Sequence, residues 1–101
     1  MKIKLTGIYV DDSIEAPKFY TGKLNFLSLM LNKEYKLAIV VSPKYPEGTA
    51  LLLESNTNST ASKYQRELFE QGLPVIVLGV KDVQTTFSEL TEKGIHFIQA
   101  L

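Results

Sequence analysis

A chain of 101 residues that is 45% hydrophobic, with 11 basic residues balanced by 11 acidic ones, suits one soluble folded domain. The charges are scattered, which excludes the electrostatic footprint of a nucleic-acid or anionic-membrane binder, and the lack of cysteine removes disulfides, thiolate metal sites and thiol nucleophiles together. No charged leader with an apolar core opens the sequence and no apolar run is long enough to span a bilayer, so a cytoplasmic protein without membrane partners is the expectation.

Taken in chain order, residues 2–10 combine alternation with β-branched and aromatic side chains and predict a strand, and Asp11-Asp12-Ser13 then supplies helix-capping oxygens. From 13 to 24 the apolar positions Ala16, Phe19, Tyr20 and Leu24 recur at spacings of three and four, the stripe of an amphipathic helix, with Pro17 near the first turn where its missing N–H costs least. Residues 26–31 and 36–42 read as strands joined by the polar turn Asn32-Lys33-Glu34-Tyr35. The loop Pro43-Lys44-Tyr45-Pro46 with Gly48 leads into a further strand over 49–54.

A polar connector at 56–60 precedes a second helix with Ala61, Tyr64, Leu68 and Phe69 on one face, stopped by Gly72 and Pro74. Residues 75–80, Val-Ile-Val-Leu-Gly-Val, form the most continuously apolar run and predict a strand at the centre of a sheet. Lys81-Asp82 then opens a third helix with Val83, Phe87 and Leu90 inward, Gly94 is expected as its left-handed cap, and 95–100 returns as a strand. The fold class is therefore α+β, a βαβββ module (1–55), a linking helix (56–73) and a partial second module, βαβ (74–101), within a single domain.

The second module repeats the first. Ile8-Tyr9-Val10-Asp11-Asp12, a helix through Phe19-Tyr20, then Gly22-Lys23-Leu24-Asn25-Phe26 is answered by Leu78-Gly79-Val80-Lys81-Asp82, a helix through Phe87 and Leu90, then Lys93-Gly94-Ile95-His96-Phe97. Val10 falls over Val80, Asp12 over Asp82, Thr21 over Thr91 and Lys23 over Lys93. Duplicated units of this kind build pseudo-symmetric sheets with a ligand site between the halves.

The turn Tyr9-Val10-Asp11-Asp12, the Phe19-Tyr20 helix, Leu24-Asn25-Phe26, the strand Leu51-Leu52-Leu53-Glu54 and the Val80-Lys81-Asp82 repeat together resemble the vicinal oxygen chelate superfamily, which includes glyoxalase I, extradiol dioxygenases and bleomycin-resistance proteins. The resemblance implies paired βαβββ modules curving round a cup, with a divalent metal held in the enzymes by one residue on the first and one on the last strand of each module. The matching positions here are Leu5 and Val75, which cannot coordinate a metal, and Glu54, which can; the fourth falls beyond Leu101. No resident metal or other cofactor is expected, since one carboxylate falls short of the three protein ligands of a typical catalytic site. A divalent metal belongs to the alternative reading, a lyase or dioxygenase of the same superfamily. Whether any catalysis is retained stays open.

Counting by twos from Leu5 sets Gly7 and Tyr9 on the cup side of the first strand, with Val75, Val77 and Gly79 on the same side of the repeat. These residues and Glu54 are the predicted binding set for a small apolar or aromatic molecule, oriented by the Tyr9 hydroxyl and Glu54. The competing expectation is a cup filled by Phe26, Met30 and Tyr35. Glu54 reads either as a catalytic carboxylate desolvated by Leu5, Val75 and Val77 or as a solvated residue at a strand end. The single histidine, His96, alternates away from Ile95 and Phe97 and reads as the polar face of an edge strand; Asp11 and Asp12 read as caps.

Two strands in the second module against four in the first leave edges unpaired, and a homodimer that buries them with the apolar tail 97–101 is the expected assembly. A non-catalytic interaction module that uses those edges is the third functional reading.

Overall fold

A computed structural model describes residues 1–97. The elements follow the order β1 (Leu5–Val10), α1 (Ala16–Gly22), β2 (Leu27–Asn32), β3 (Leu37–Val41), β4 (Ala50–Ser55), α2 (Ser59–Glu70) and α3 (Val83–Glu92). The four strands form one mixed sheet in the order β1-β4-β3-β2, with β1 parallel to β4 and the other pairs antiparallel. The α+β class and the βαβββ module followed by a linking helix are those expected from the sequence.

Alternation sorts the sheet into two faces. Leu51 and Leu53 of β4 pack with Ala38 and Val40 of β3 as the buried core, and Ile8, Val10, Ala16, Tyr20 and Phe26 close over it. Leu53 and Val40 are both 0% exposed. Burying a side chain of that size contributes roughly 1.5–3 kcal/mol, so this one face supplies most of the apolar drive for the module. The aromatic rings of Phe19, Tyr20 and Phe26 meet in series at centroid separations of 5.5 and 5.8 Å, fastening α1 to the segment that enters β2.

Several polar devices set the chain's path. Asp12 Oδ1 accepts from the N–H groups of Ile14 and Glu15 at 2.9 and 3.2 Å, but residues 13–15 form a turn and α1 starts only at Ala16, the first position of the apolar stripe, and not at 13. The cause is Ser13, which is 0% exposed. Its hydroxyl donates to the Lys36 carbonyl at 2.5 Å and stands 2.8 Å from Ser55 Oγ, which in turn accepts from the Ser13 N–H at 3.1 Å. One buried serine thus ties the entry of α1 to the start of β3 and the end of β4. Asn32 Oδ1 accepts from Tyr35 N–H at 2.9 Å and closes the β2–β3 turn, and Lys36 completes it at φ +55°.

The second half keeps the local chemistry of the first. Asp82 Oδ1 caps α3 through Gln84 and Thr85, at 3.0 and 3.2 Å. Thr91 Oγ1 donates to Phe87 O as Thr21 Oγ1 donates to Pro17 O. Gly94 takes φ +88° as the expected left-handed cap. Lys93 Nζ reaches the Lys23 carbonyl at 2.9 Å, and Lys23 Nζ reaches the Lys93 carbonyl in return, a reciprocal clasp at equivalent positions of the repeat.

Its strands differ from expectation. Residues 75–80 make no ladder to the sheet, and Val75, Ile76, Val77, Leu78 and Val80 are exposed. Apolar content made this run look like a central strand, but a strand exists only where a neighbour accepts its hydrogen bonds, and none of the four strands does so here. Ile95, His96 and Phe97 are likewise outside any strand, although Ile95 and Phe97 are half-buried and His96 exposed, as alternation predicts. The rest of that expected strand, and most of the tail invoked for dimer burial, lies outside the described residues.

Candidate functional site

The face of the sheet opposite the core carries the candidate cup. Cross-strand partners share a face, and the register sets Tyr9 beside Glu54 and Glu54 beside Leu37, with Gly7, Leu52, Ile39 and Met30 in the next row. Leu5 continues the face at 45% exposure, and Tyr9 stands at 39%. Leu52, Glu54, Leu37, Ile39 and Met30 are half-buried. The surface is therefore apolar apart from the Tyr9 phenol and the Glu54 carboxylate on adjacent strands and Asn32 beside Leu37 at its β2 end, whose Oδ1 is taken up by the Tyr35 N–H.

Of the three residues expected to fill this face, only Met30 lies on it. Phe26 packs on the core side, and Tyr35 is 69% exposed at the hairpin turn. Gly7 adjoins Leu52, where an added Cβ would sit at an ordinary 3.5 Å. Its lack of a side chain leaves room in the middle of this face without being required by packing.

The second-half members of the predicted set are placed differently. Val77, expected on the cup side over Glu54, is 85% exposed. Nothing lies within 4 Å of a Cβ built on Gly79. Both expectations assumed a second strand lying against the cup, and the run that holds these residues is not in the sheet. Val75 does approach β1, at a cleft between the outer edge of that strand and α2.

This cleft, of about 490 Å³, brings Ile8, Tyr9 and Asp11 of the first strand and turn together with Asn56, with Ser62, Gln65, Arg66 and Phe69 of α2, and with Leu73 and Val75. A smaller recess of about 100 Å³ beside it is bordered by Gly7, Tyr9, Tyr64, Leu68 and Val75. Tyr9, Gly7 and Val75 of the predicted set thus converge, whereas Leu5, Val77, Gly79 and Glu54 border neither space. The contribution of α2 is not visible in the sequence, which sets Phe69 on one helix face with Ala61, Tyr64 and Leu68; it is 81% exposed and lines the cleft. Arg66, the single arginine of the chain, was the available signal.

Asp11 and Asp12 take different roles. Asp12 closes the turn before α1 and is not the helix cap expected of it, while Asp11 Oδ1 accepts from Asn56 Nδ2 at 3.0 Å, and the same amide donates to Gln65 Oε1, linking the end of β1 to α2. Asn58 caps α2 itself, accepting from Thr60 and Ala61 N–H groups at 2.8 and 3.3 Å.

The donor set does not fit a divalent metal. Leu5 and Val75 bring no ligand atom to the positions that the resemblance implies, and among the described residues no group of three or more His, Asp or Glu side chains could hold an ion. No helix of the described residues is long and apolar enough to cross a membrane.

Comparison with known proteins agrees with this architecture. The sequence pattern of the Glyoxalase/Bleomycin resistance protein/Dioxygenase superfamily matches residues 2–101. The chain is 41% identical over 100 residues to the uncharacterized protein YurT of Bacillus subtilis (strain 168), covering 96% of this chain and 78% of that protein. Among solved structures, the crystal structure of UcmS2 superposes with a TM-score of 0.79 at 26% identity, over 98% of this chain and 79% of its own. A superfamily member from Sphaerobacter thermophilus DSM 20745 superposes with a TM-score of 0.69 at 22% identity, over 98% and 76%.

Proposed function

The chain belongs to the Glyoxalase/Bleomycin resistance protein/Dioxygenase superfamily, and from that premise we propose that it binds a small apolar or aromatic molecule on the open face of its sheet, without a metal. One observation carries the reading: Tyr9 and Glu54 stand opposite each other in register on a face whose other side chains, Leu5, Leu37, Ile39, Leu52 and Met30, are apolar except for Asn32 at its β2 end. Few, well-placed polar groups on an apolar concave surface are what orient a small ligand. The phenol donates to or accepts from a ligand oxygen, and the carboxylate accepts from a ligand hydroxyl. A metal-dependent lyase or dioxygenase is disfavoured by the donor chemistry of Leu5 and Val75.

Titration with 2-naphthol, followed by amide chemical shifts, tests this. Shifts centred on residues 5, 9, 39, 52 and 54 are expected, and Tyr9→Phe should weaken the probe by about 0.5–1.5 kcal/mol, the value of one hydrogen bond. Shifts confined to other surfaces, or full affinity in both Tyr9→Phe and Glu54→Gln, would defeat the proposal.

The exposed apolar run 76–80 supports a homodimer as the working assembly, since a patch of this kind invites a partner. Light scattering behind size exclusion would return twice the 11.3 kDa of one chain. A monomer at high concentration would leave this run to a different protein, the interaction-module reading.

A further inference from the structure

Outside the cup, the cleft between β1 and α2 has a chemistry of its own. Its walls are apolar at Ile8, Phe69, Leu73 and Val75, and its rim carries Arg66. That guanidinium makes no ion pair or hydrogen bond among the described residues; its neighbour Glu67 pairs instead with Lys63 at 3.9 Å. Tyr9 and Ser62 also line the cleft, and their hydroxyls make no hydrogen bond among the described residues.

The backbone of β1 adds donors. The carbonyls of Lys4 and Val10 accept from β4-side N–H groups, those of Ala50 and Asn56. Even-numbered residues therefore direct their main-chain groups toward β4, and alternation turns the N–H and C=O groups of Gly7 and Tyr9 outward. That side of β1 has no strand beside it.

We infer that this cleft binds a small monocarboxylate with an apolar body, the carboxylate held by Arg66 and the body lying against Phe69, Leu73 and Val75. A guanidinium presents two parallel N–H donors that match the two oxygens of a carboxylate, and the Tyr9 and Ser62 hydroxyls supply further donors within the same cleft. A volume of about 490 Å³ accommodates a body of one aromatic ring and a short chain. Asp11 opposes the anion, but its Oδ1 is occupied by Asn56.

The probes are 4-phenylbutyrate and its neutral amide, titrated by calorimetry against the full chain at low salt. The carboxylate should bind about tenfold more tightly than the amide, the factor associated with one charge-assisted hydrogen bond. Arg66→Ala should erase that preference while circular dichroism stays unchanged, Arg66→Lys should keep part of it, and Asp11→Asn should tighten the carboxylate a few-fold by removing the opposing charge. Glu54→Gln, in the cup and not in the cleft, should leave the preference intact. Equal binding of acid and amide, an unaltered preference in folded Arg66→Ala, or a strengthened preference for the acid in Glu54→Gln would each overturn the assignment. The last outcome would locate the probe in the cup, so this cleft can fail while the cup reading stands, and the reverse.

Discussion

The two halves of the chain carry the same local instructions and end in different states. Asp12 and Asp82 each accept from the N–H groups two and three residues on, Asp12 in the turn that leads into α1 and Asp82 as the cap of α3, Thr21 and Thr91 make the same bond back to the preceding turn, and each helix is followed by an aromatic contact, Tyr20 with Phe26 at 5.8 Å and Phe87 with Phe97 at 4.5 Å. Yet β1 lies in a four-stranded sheet, while its counterpart at 75–80 has no ladder and an exposed apolar surface. Helix ends are satisfied by atoms a few residues away, so they form wherever the sequence repeats. A strand needs donors and acceptors from a remote segment, and among the described residues β4 pairs with β1 while no strand pairs with 75–80.

The largest expected contrast is in the apolar residues. Leu53→Ala, at a side chain with 0% exposure, should cost about 2–5 kcal/mol in urea unfolding. Val77→Ala, at 85% exposure, should stay within about 0.5 kcal/mol. If Val77→Ala were instead as damaging as a core substitution, the run would be covered in solution and the contrast between halves would disappear.

Removing the two aspartates sharpens the same comparison at smaller scale. Asp12→Ala should lower global stability by about 1 kcal/mol, because the turn it closes is fixed to the core by Ser13. Asp82→Ala loses an equivalent pair of bonds, but α3 has no buried residue, so the loss should show as faster amide exchange over 83–92 with the urea midpoint nearly unmoved. A full shift of the midpoint in Asp82→Ala would mean that α3 unfolds together with the sheet.

The smallest effect concerns pH. Burial against the core raises the Tyr20 phenol above the ordinary value of 10.0, and the repeat aligns Leu90, which cannot ionise, with Tyr20. A raised folded-state pKa means that the stabilisation is complete below pH 10 and declines as pH rises further, because the unfolded chain releases its proton first. Tyr20→Phe should flatten that alkaline decline. An unchanged slope in Tyr20→Phe would assign the decline to other groups.

Much of the first half was legible because its signals are short-range. Pro17 in the first turn, the Asn32–Tyr35 hairpin turn, the alternation of β1 and the left-handed Gly94 each depend on a handful of adjacent residues, and each is where the sequence put it, whereas Asp12, expected as the cap of α1, closes the turn before it. Ser13 was read as one more capping oxygen. Its burial beneath Lys36 and Ser55 depends on segments 23 and 42 residues away and leaves no local mark.

The candidate site divides along the same line. Alternation alone set Leu5, Gly7 and Tyr9 on one face, and the register then added Glu54, Leu37 and Ile39, which no count along the sequence could align with Tyr9. The position of α2 beside the free edge of β1 brought Arg66 and Phe69 to Tyr9. By itself the sequence determined the repeat, the helices and the superfamily, because these rest on local hydrogen bonds and on patterns that survive without three-dimensional neighbours. Tertiary structure decided which apolar run became a strand, which serine was buried and which polar groups share the cup and the cleft, because burial and strand pairing are made between segments far apart in the chain.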